Sequence, residues 1–181
     1  MKEDYAVILD FLPLGKPDDP RGTPVAQALG TQYYTLLELV PKPGISLQPF
    51  ERVFIGKGER EKIKLVKGRI KYNDLTSLAR ANLEEAVVRL VKEREKEYVE
   101  FFNRARAITI RLHSLELLPG IGKKHLFRIL EEREKKPFES FEDIKKRVPL
   151  MPDPLKCVVG RILEEIQGGC KYYLFVRPPG R

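Results

Sequence analysis

Apolar positions change their spacing along this chain, and the change divides it into a strand-rich front and a helical back. Residues 5–12, YAVILDFL, are almost continuously apolar, the pattern of a strand covered on both faces. GKPDDPRGTP follows as a long loop of Gly, Pro and Asp. Residues 32–40, QYYTLLELV, predict a second strand that Pro41, Pro43 and Gly44 end, and residues 52–56 predict a third. Over residues 63–72, Ile63, Leu65, Ile70 and Tyr72 alternate with Lys64, Arg69 and Lys71. Gly68 sits inside that fourth strand, where a bulge would shift the phase of the alternation. The last apolar run, residues 171–176 (KYYLFV), predicts a fifth strand that returns to pair with the front sheet.

From Asp74 the period lengthens to that of helices. A short helix is predicted over 74–83, and a longer one over 84–103 with KEREKE as its solvated middle. Residues 108–118 and 123–134 predict two helices around the turn LLPGIGKK, residues 117–124. Ser140 with Asp143 then caps a helix, and Asp153 with Pro154 opens a last one that Gly168 and Gly169 end.

The turn carries the chemistry. Gly120 and Gly122 tolerate positive φ and let a backbone approach closely. A helix that starts near Lys123 turns its unpaired N–H groups and positive dipole end toward the turn. Phosphate is the natural occupant of such a place. The predicted phosphate contacts are therefore Gly120, Ile121, Gly122, Lys123 and Lys124. The plainer alternative is an αα-hairpin whose glycines only close a tight turn. The sequence is similar to the helix-hairpin-helix motif, and residues 148–153 repeat it in degenerate form. There Leu150 and Pro152 replace the glycines, proline offers no N–H donor, and Asp153 repels phosphate. The second turn is read as a packing partner.

The expected fold class is α+β: a small OB-like β-barrel, then a tandem helix-hairpin-helix domain, with the C-terminal strand returning to the barrel. The corresponding division is 1–82 for the barrel, 83–106 for a connecting helix, 107–168 for the hairpins and 169–181 for strand and tail.

Charge sharpens this picture. The chain is formally +8, and residues 57–72 hold seven basic side chains against two acidic ones. An excess of that kind favours an anionic partner such as nucleic acid. On the barrel Lys57, Arg60, Lys64, Lys67, Arg69, Lys71 and Tyr72 are candidate contacts. Cations would track a backbone, and aromatics (Tyr72, and Tyr33, Tyr34 or Phe54) would stack bases. The competing reading is a solvated basic face with the rings in the core.

Other chemistry finds little support. Cys157 and Cys170 lack metal or disulfide spacing. His113 and His125 have no ligand partners at suitable spacing, and no Walker, GxSxG or Rossmann signature is present. No cofactor is implied, beyond a monovalent cation that hairpin carbonyls can hold. With no apolar run of membrane length and no signal peptide, a cytoplasmic location is expected and no membrane partner.

With the strands in front, nearly the whole chain resembles an uncharacterised archaeal family, domain of unknown function six-fifty-five. The strongest stretch is residues 111–134, RLHSLELLPGIGKKHLFRILEERE. The resemblance implies the OB-like part, the tandem hairpins and a nucleic-acid-binding role, without an established activity. The expected function is accordingly non-enzymatic binding of nucleic acid, RNA favoured over DNA. The alternative is a protein-interaction adaptor of a translation or DNA-repair complex.

Overall fold

A computed structural model describes residues 2–179 as two units, one of residues 2–86 with 164–179 and one of residues 87–163. The fold class is α+β. In the first unit β1 (Tyr5–Leu12), β2 (Val25–Gly30), β3 (Leu36–Pro41), β4 (Arg52–Phe54) and β5 (Ile63–Arg69) make one antiparallel sheet in the order β4-β1-β2-β3-β5. The continuous apolar run of β1 has its expected consequence, since residues 6–9 are buried on both faces. One face packs Ala6, Ile8, Ala26, Ala28, Leu39 and Val53 into a core. Gly68 lies at φ 153° where the β3–β5 register slips, so the predicted bulge is present.

The fifth strand is not where the sequence pattern puts it. It is β2, whose VAQALG has almost no β-branched residues. Its small side chains are what a strand buried between two neighbours can carry, and packing outweighs intrinsic propensity there. Residues 171–176 form no strand. Their would-be ladder donors are spent elsewhere: the buried Glu165 carboxylate accepts the N–H groups of Leu174, Phe175 and Val176 at 2.8, 2.9 and 3.0 Å. Among the described residues β4 and β5 remain the sheet's two edges.

A second buried carboxylate shortens the expected strand over 32–40. Glu3 accepts the N–H groups of Gln32 and Tyr33 at 3.0 Å and of Thr35 at 3.3 Å, which holds residues 31–35 as a turn and delays β3 to Leu36. Gly30 makes room for it; a Cβ there would stand 1.7 Å from Glu3 Oε2.

The helices also redivide. Thr76, not Asp74, opens α1 (Ser77–Glu93), its hydroxyl accepting Ala79 N–H at 3.1 Å. The chain breaks at Arg94 and resumes as α2 (Glu95–Arg104). In the second unit residues 108–113 are not helical; only a 3₁₀ turn, Ser114–Leu117, precedes α3 (Lys123–Lys135). Next come α4 (Phe141–Arg147), capped by Ser140 as expected, and α5 (Pro154–Gln167). Gly168 and Gly169, at φ 89° and 80°, end α5.

Candidate nucleic-acid interface

The predicted phosphate site is the entry to α3. Gly120 adopts φ 84°, but Gly122 does not: it is the N-cap of α3 at φ −97°. The two glycines therefore serve different ends. At Gly120 the left-handed backbone and a wall both exclude a side chain, because a Cβ would stand 2.8 Å from Pro152 Cγ. At Gly122 no heavy atom lies within 4 Å of a built Cβ. The space in front of the helix start is open, and Gly122 is exposed with no side-chain cap hydrogen bond.

The repeat is legible in the backbone. Leu150 of the second turn takes φ 70°, as Gly120 takes 84°, before α5 begins. Pro152 fills the space against Gly120, and Pro119 reaches to 3.3 Å from a Cβ built on Gly160. The two turns thus lie side by side within the second unit. Asp153 accepts Leu155 N–H at 3.0 Å, so the second helix start is already occupied by a carboxylate.

The two lysines separate. Lys124 is exposed and makes no ion pair among the described residues. Lys123 is folded back, its ammonium 2.8 Å from Glu116 and 3.1 Å from the Arg111 carbonyl oxygen. The Lys123 ammonium and the His113 N–H together hold the Glu116 carboxyl below the usual carboxylate range. Both histidines work as caps. His113 Nδ1 accepts Leu115 N–H at 3.1 Å, and His125 Nδ1 accepts Gly122 N–H at 3.4 Å. Neither role is visible in the sequence, where their only signal is position beside a helix start.

The basic stretch of the first unit does not form one row. Arg60 is turned onto the Gly56 carbonyl at 2.9 Å, and exposed Lys57 belongs to the same turn. Lys67 pairs with buried Glu38, as does Lys16. Lys64 stays exposed on β5. Arg69, Lys71 and Tyr72 do come together, in a cleft of about 530 Å³ within this unit that Tyr34, Asn73 and Gln167 also line. Bulged Gly68 is what parts Lys67 from Arg69. Arg69 donates to the carbonyls of Arg177 and Pro178 at 2.6 and 2.8 Å. Of the four candidate aromatics, Tyr33 is half-buried in the turn held by Glu3, Tyr34 is buried as floor, Phe54 packs edge-on against Tyr5 at 5.4 Å, and Tyr72 carries Arg80 over its ring at 4.8 Å.

The family model for "Protein of unknown function (DUF655)" matches residues 2–177. The chain belongs to the DUF655 family. An uncharacterised Methanocaldococcus jannaschii protein is 46% identical to this DUF655 chain over 177 residues, 97% of the chain and 80% of that relative. The crystal structure of the DUF655 protein Af1531 from Archaeoglobus fulgidus superposes with a TM-score of 0.90 at 47% identity. That match covers 97% of this chain and all of the other. Among the described residues of the DUF655 chain no helix is long and apolar enough to cross a membrane.

Proposed function

We propose that this DUF655 chain is a non-enzymatic nucleic-acid-binding protein that grips the phosphate backbone through the turn before α3 and through basic residues of the sheet unit. One observation carries the reading: a helix start whose N-cap, Gly122, brings no side chain of its own, open in front, with the exposed ammonium of Lys124 beside it. Backbone N–H groups, a helix dipole and a lysine converge there on a place an anion can enter. Two left-handed turns ahead of α3 and α5 support a tandem helix-hairpin-helix. A five-stranded antiparallel sheet with unpaired edges supports an OB-like half-barrel. RNA is favoured over DNA because half-buried Tyr72 beside two cations suits unpaired bases, which RNA offers in loops and ends. Cytoplasmic location goes with that reading.

The test is fluorescence anisotropy with labelled single-stranded RNA, single-stranded DNA and duplex DNA over a salt series. Binding is expected to fall steeply with salt, and Lys124→Glu to flatten the slope by about one. Lys124 is the residue to change, since a carboxylate at position 123 would face Glu116. No binding of any of the three ligands at low salt would overturn the reading.

An adaptor role has one observation in its favour. Ile110, Phe127 and Leu150 of the second unit are apolar and 106%, 63% and 96% exposed. Under that reading Lys124→Glu has no nucleic-acid affinity to remove.

A further inference from the structure

The cleft of the first unit has a more specific chemistry than a basic face. Its cations are Arg69 and Lys71, and none of its lining residues is an acid. Arg69 is already engaged by the carbonyls of Arg177 and Pro178, whereas Lys71 has no side-chain ion pair among the described residues. An anion entering the cleft therefore meets Lys71 as its mobile partner and Arg69 as a fixed positive wall.

The remaining lining suits a flat, partly polar ring. Tyr72 lines the cleft and Arg80 does not, so the ring offers the cleft what Arg80 leaves uncovered. A ring stacked there completes a sandwich of guanidinium, phenol and ligand. Leu36, Ile70 and Tyr34 supply apolar surface. The side-chain amides of Asn73 and Gln167 have no partner among the described residues, so each brings a free donor and acceptor. Gly168 and Gly169, which also line the cleft, are both at positive φ and have no heavy atom within 4 Å of a built Cβ, which leaves their backbone open to a ligand. At about 530 Å³ the cleft falls in the size range of small-molecule sites.

A nucleotide is such a ligand: an anion joined to a flat ring with a hydrogen-bonding edge. We propose that this cleft takes one unpaired nucleotide, its base on Tyr72, its base edge on Asn73 and Gln167, and its phosphate on Lys71. A duplex keeps its bases inside the stack, so only a single strand, a loop or a free mononucleotide can fill the cleft. This deepens the nucleic-acid reading, which it needs only for the source of the nucleotide.

The experiment has two arms. In the first, AMP is titrated into the ¹⁵N-labelled full chain. Amide shifts are expected at Lys71, Tyr72, Asn73, Gly168 and Gly169, lost in Tyr72→Ala and kept in Tyr72→Phe. In the second, anisotropy compares single-stranded RNA with a blunt duplex. Tyr72→Ala should weaken the single strand about tenfold, the effect of one stacked base, and leave the duplex unchanged. Lys124→Glu should weaken both strands and spare the AMP shifts. If AMP shifts the cleft amides and no strand binds, the occupant is a free mononucleotide and only the nucleic-acid reading falls. If strands bind while AMP leaves the cleft amides unmoved and Tyr72→Ala changes nothing, the cleft proposal is overturned and the hairpin reading stands.

Discussion

The Lys123 ammonium stands 2.8 Å from the Glu116 carboxylate, so one of the two lysines at the start of α3 is neutralised by its own chain. A phosphate arriving at the turn must compete with Glu116 for it. Glu116→Gln keeps an acceptor for the His113 N–H, which lies 3.0 Å from Glu116 Oε1, while removing the charge. Single-stranded RNA should then bind about two- to fivefold more tightly at low salt, the scale of an exposed ion pair. Unchanged or weaker binding would show that Lys123 takes no part.

Gly120 and Gly122 should respond oppositely to alanine. Gly120→Ala places a side chain at φ 84° and 2.8 Å from Pro152 Cγ, and should cost roughly 2 kcal/mol or more by urea denaturation. Gly122→Ala meets nothing within 4 Å and should cost less than about 1 kcal/mol. Its methyl nevertheless stands in the opening before α3, so nucleic-acid affinity should drop while the fold survives. A Gly122→Ala chain that binds as well as the parent would argue against phosphate at this turn.

The difference between those glycines marks how far the sequence could be read. A GxG pattern announces a turn and not which glycine bends it; that is decided by Pro152, which lies in the other repeat. Strands β1 and β5 and the capping of α4 were legible because their signals are local: apolar runs, a mid-strand glycine, Ser140 beside Asp143. The strand β2 and the non-strand over 171–176 were not, because both depend on distant partners. Ala26 and Ala28 become strand by lying between β1 and β3. KYYLFV has strand composition but surrenders three N–H groups to Glu165. The basic stretch was legible as charge and not as geometry, since ion pairing to Glu38 and the bulge at Gly68 sort its members.

His113 makes stability depend on pH below neutrality. Burial, and then the nearby Arg133 charge, lower its pKa, so the folded chain favours the neutral ring. Neutral Nδ1 is also the acceptor for Leu115 N–H. A base whose folded pKa lies below its ordinary value of 6.5 contributes fully above that pH. The contribution is lost as pH falls from there through the folded pKa. Thermal unfolding between pH 7.5 and 5 should show that decline in the parent chain and a shallower one in His113→Asn, which keeps a side-chain acceptor. Parallel curves for the two would remove His113 from the account.

The two thiols should differ sharply in reactivity. Burial, with Asp153 adding to it, pushes the Cys157 thiol up to about 11, whereas Cys170 is only half-buried. Thiolate is the reactive form, so at pH 8 a disulfide reagent should titrate Cys170 alone in the native chain and both after denaturation. Rapid native reaction at Cys157 would mean that the α5 face opens readily.

Glu165 holds the C-terminal segment by charge. It is 1% exposed, and its oxygens accept three consecutive N–H groups that would otherwise build a strand. Glu165→Ala leaves those donors without their acceptor and should cost about 3 kcal/mol, near the value of a hydrogen bond to a charged group. Leu174 and Phe175 are half-buried, so water can reclaim part of the loss. Glu165→Gln retains one acceptor oxygen and should cost roughly half as much. Release of the segment also withdraws the Arg177 and Pro178 carbonyls from Arg69 and the Arg177 N–H from Tyr33. Trypsin should consequently cut after Lys171 sooner in Glu165→Ala than in the parent, with the urea midpoint lowered in step. Equal protection and an unchanged midpoint would place the anchor of this segment elsewhere, in the Arg69 and Tyr33 contacts alone.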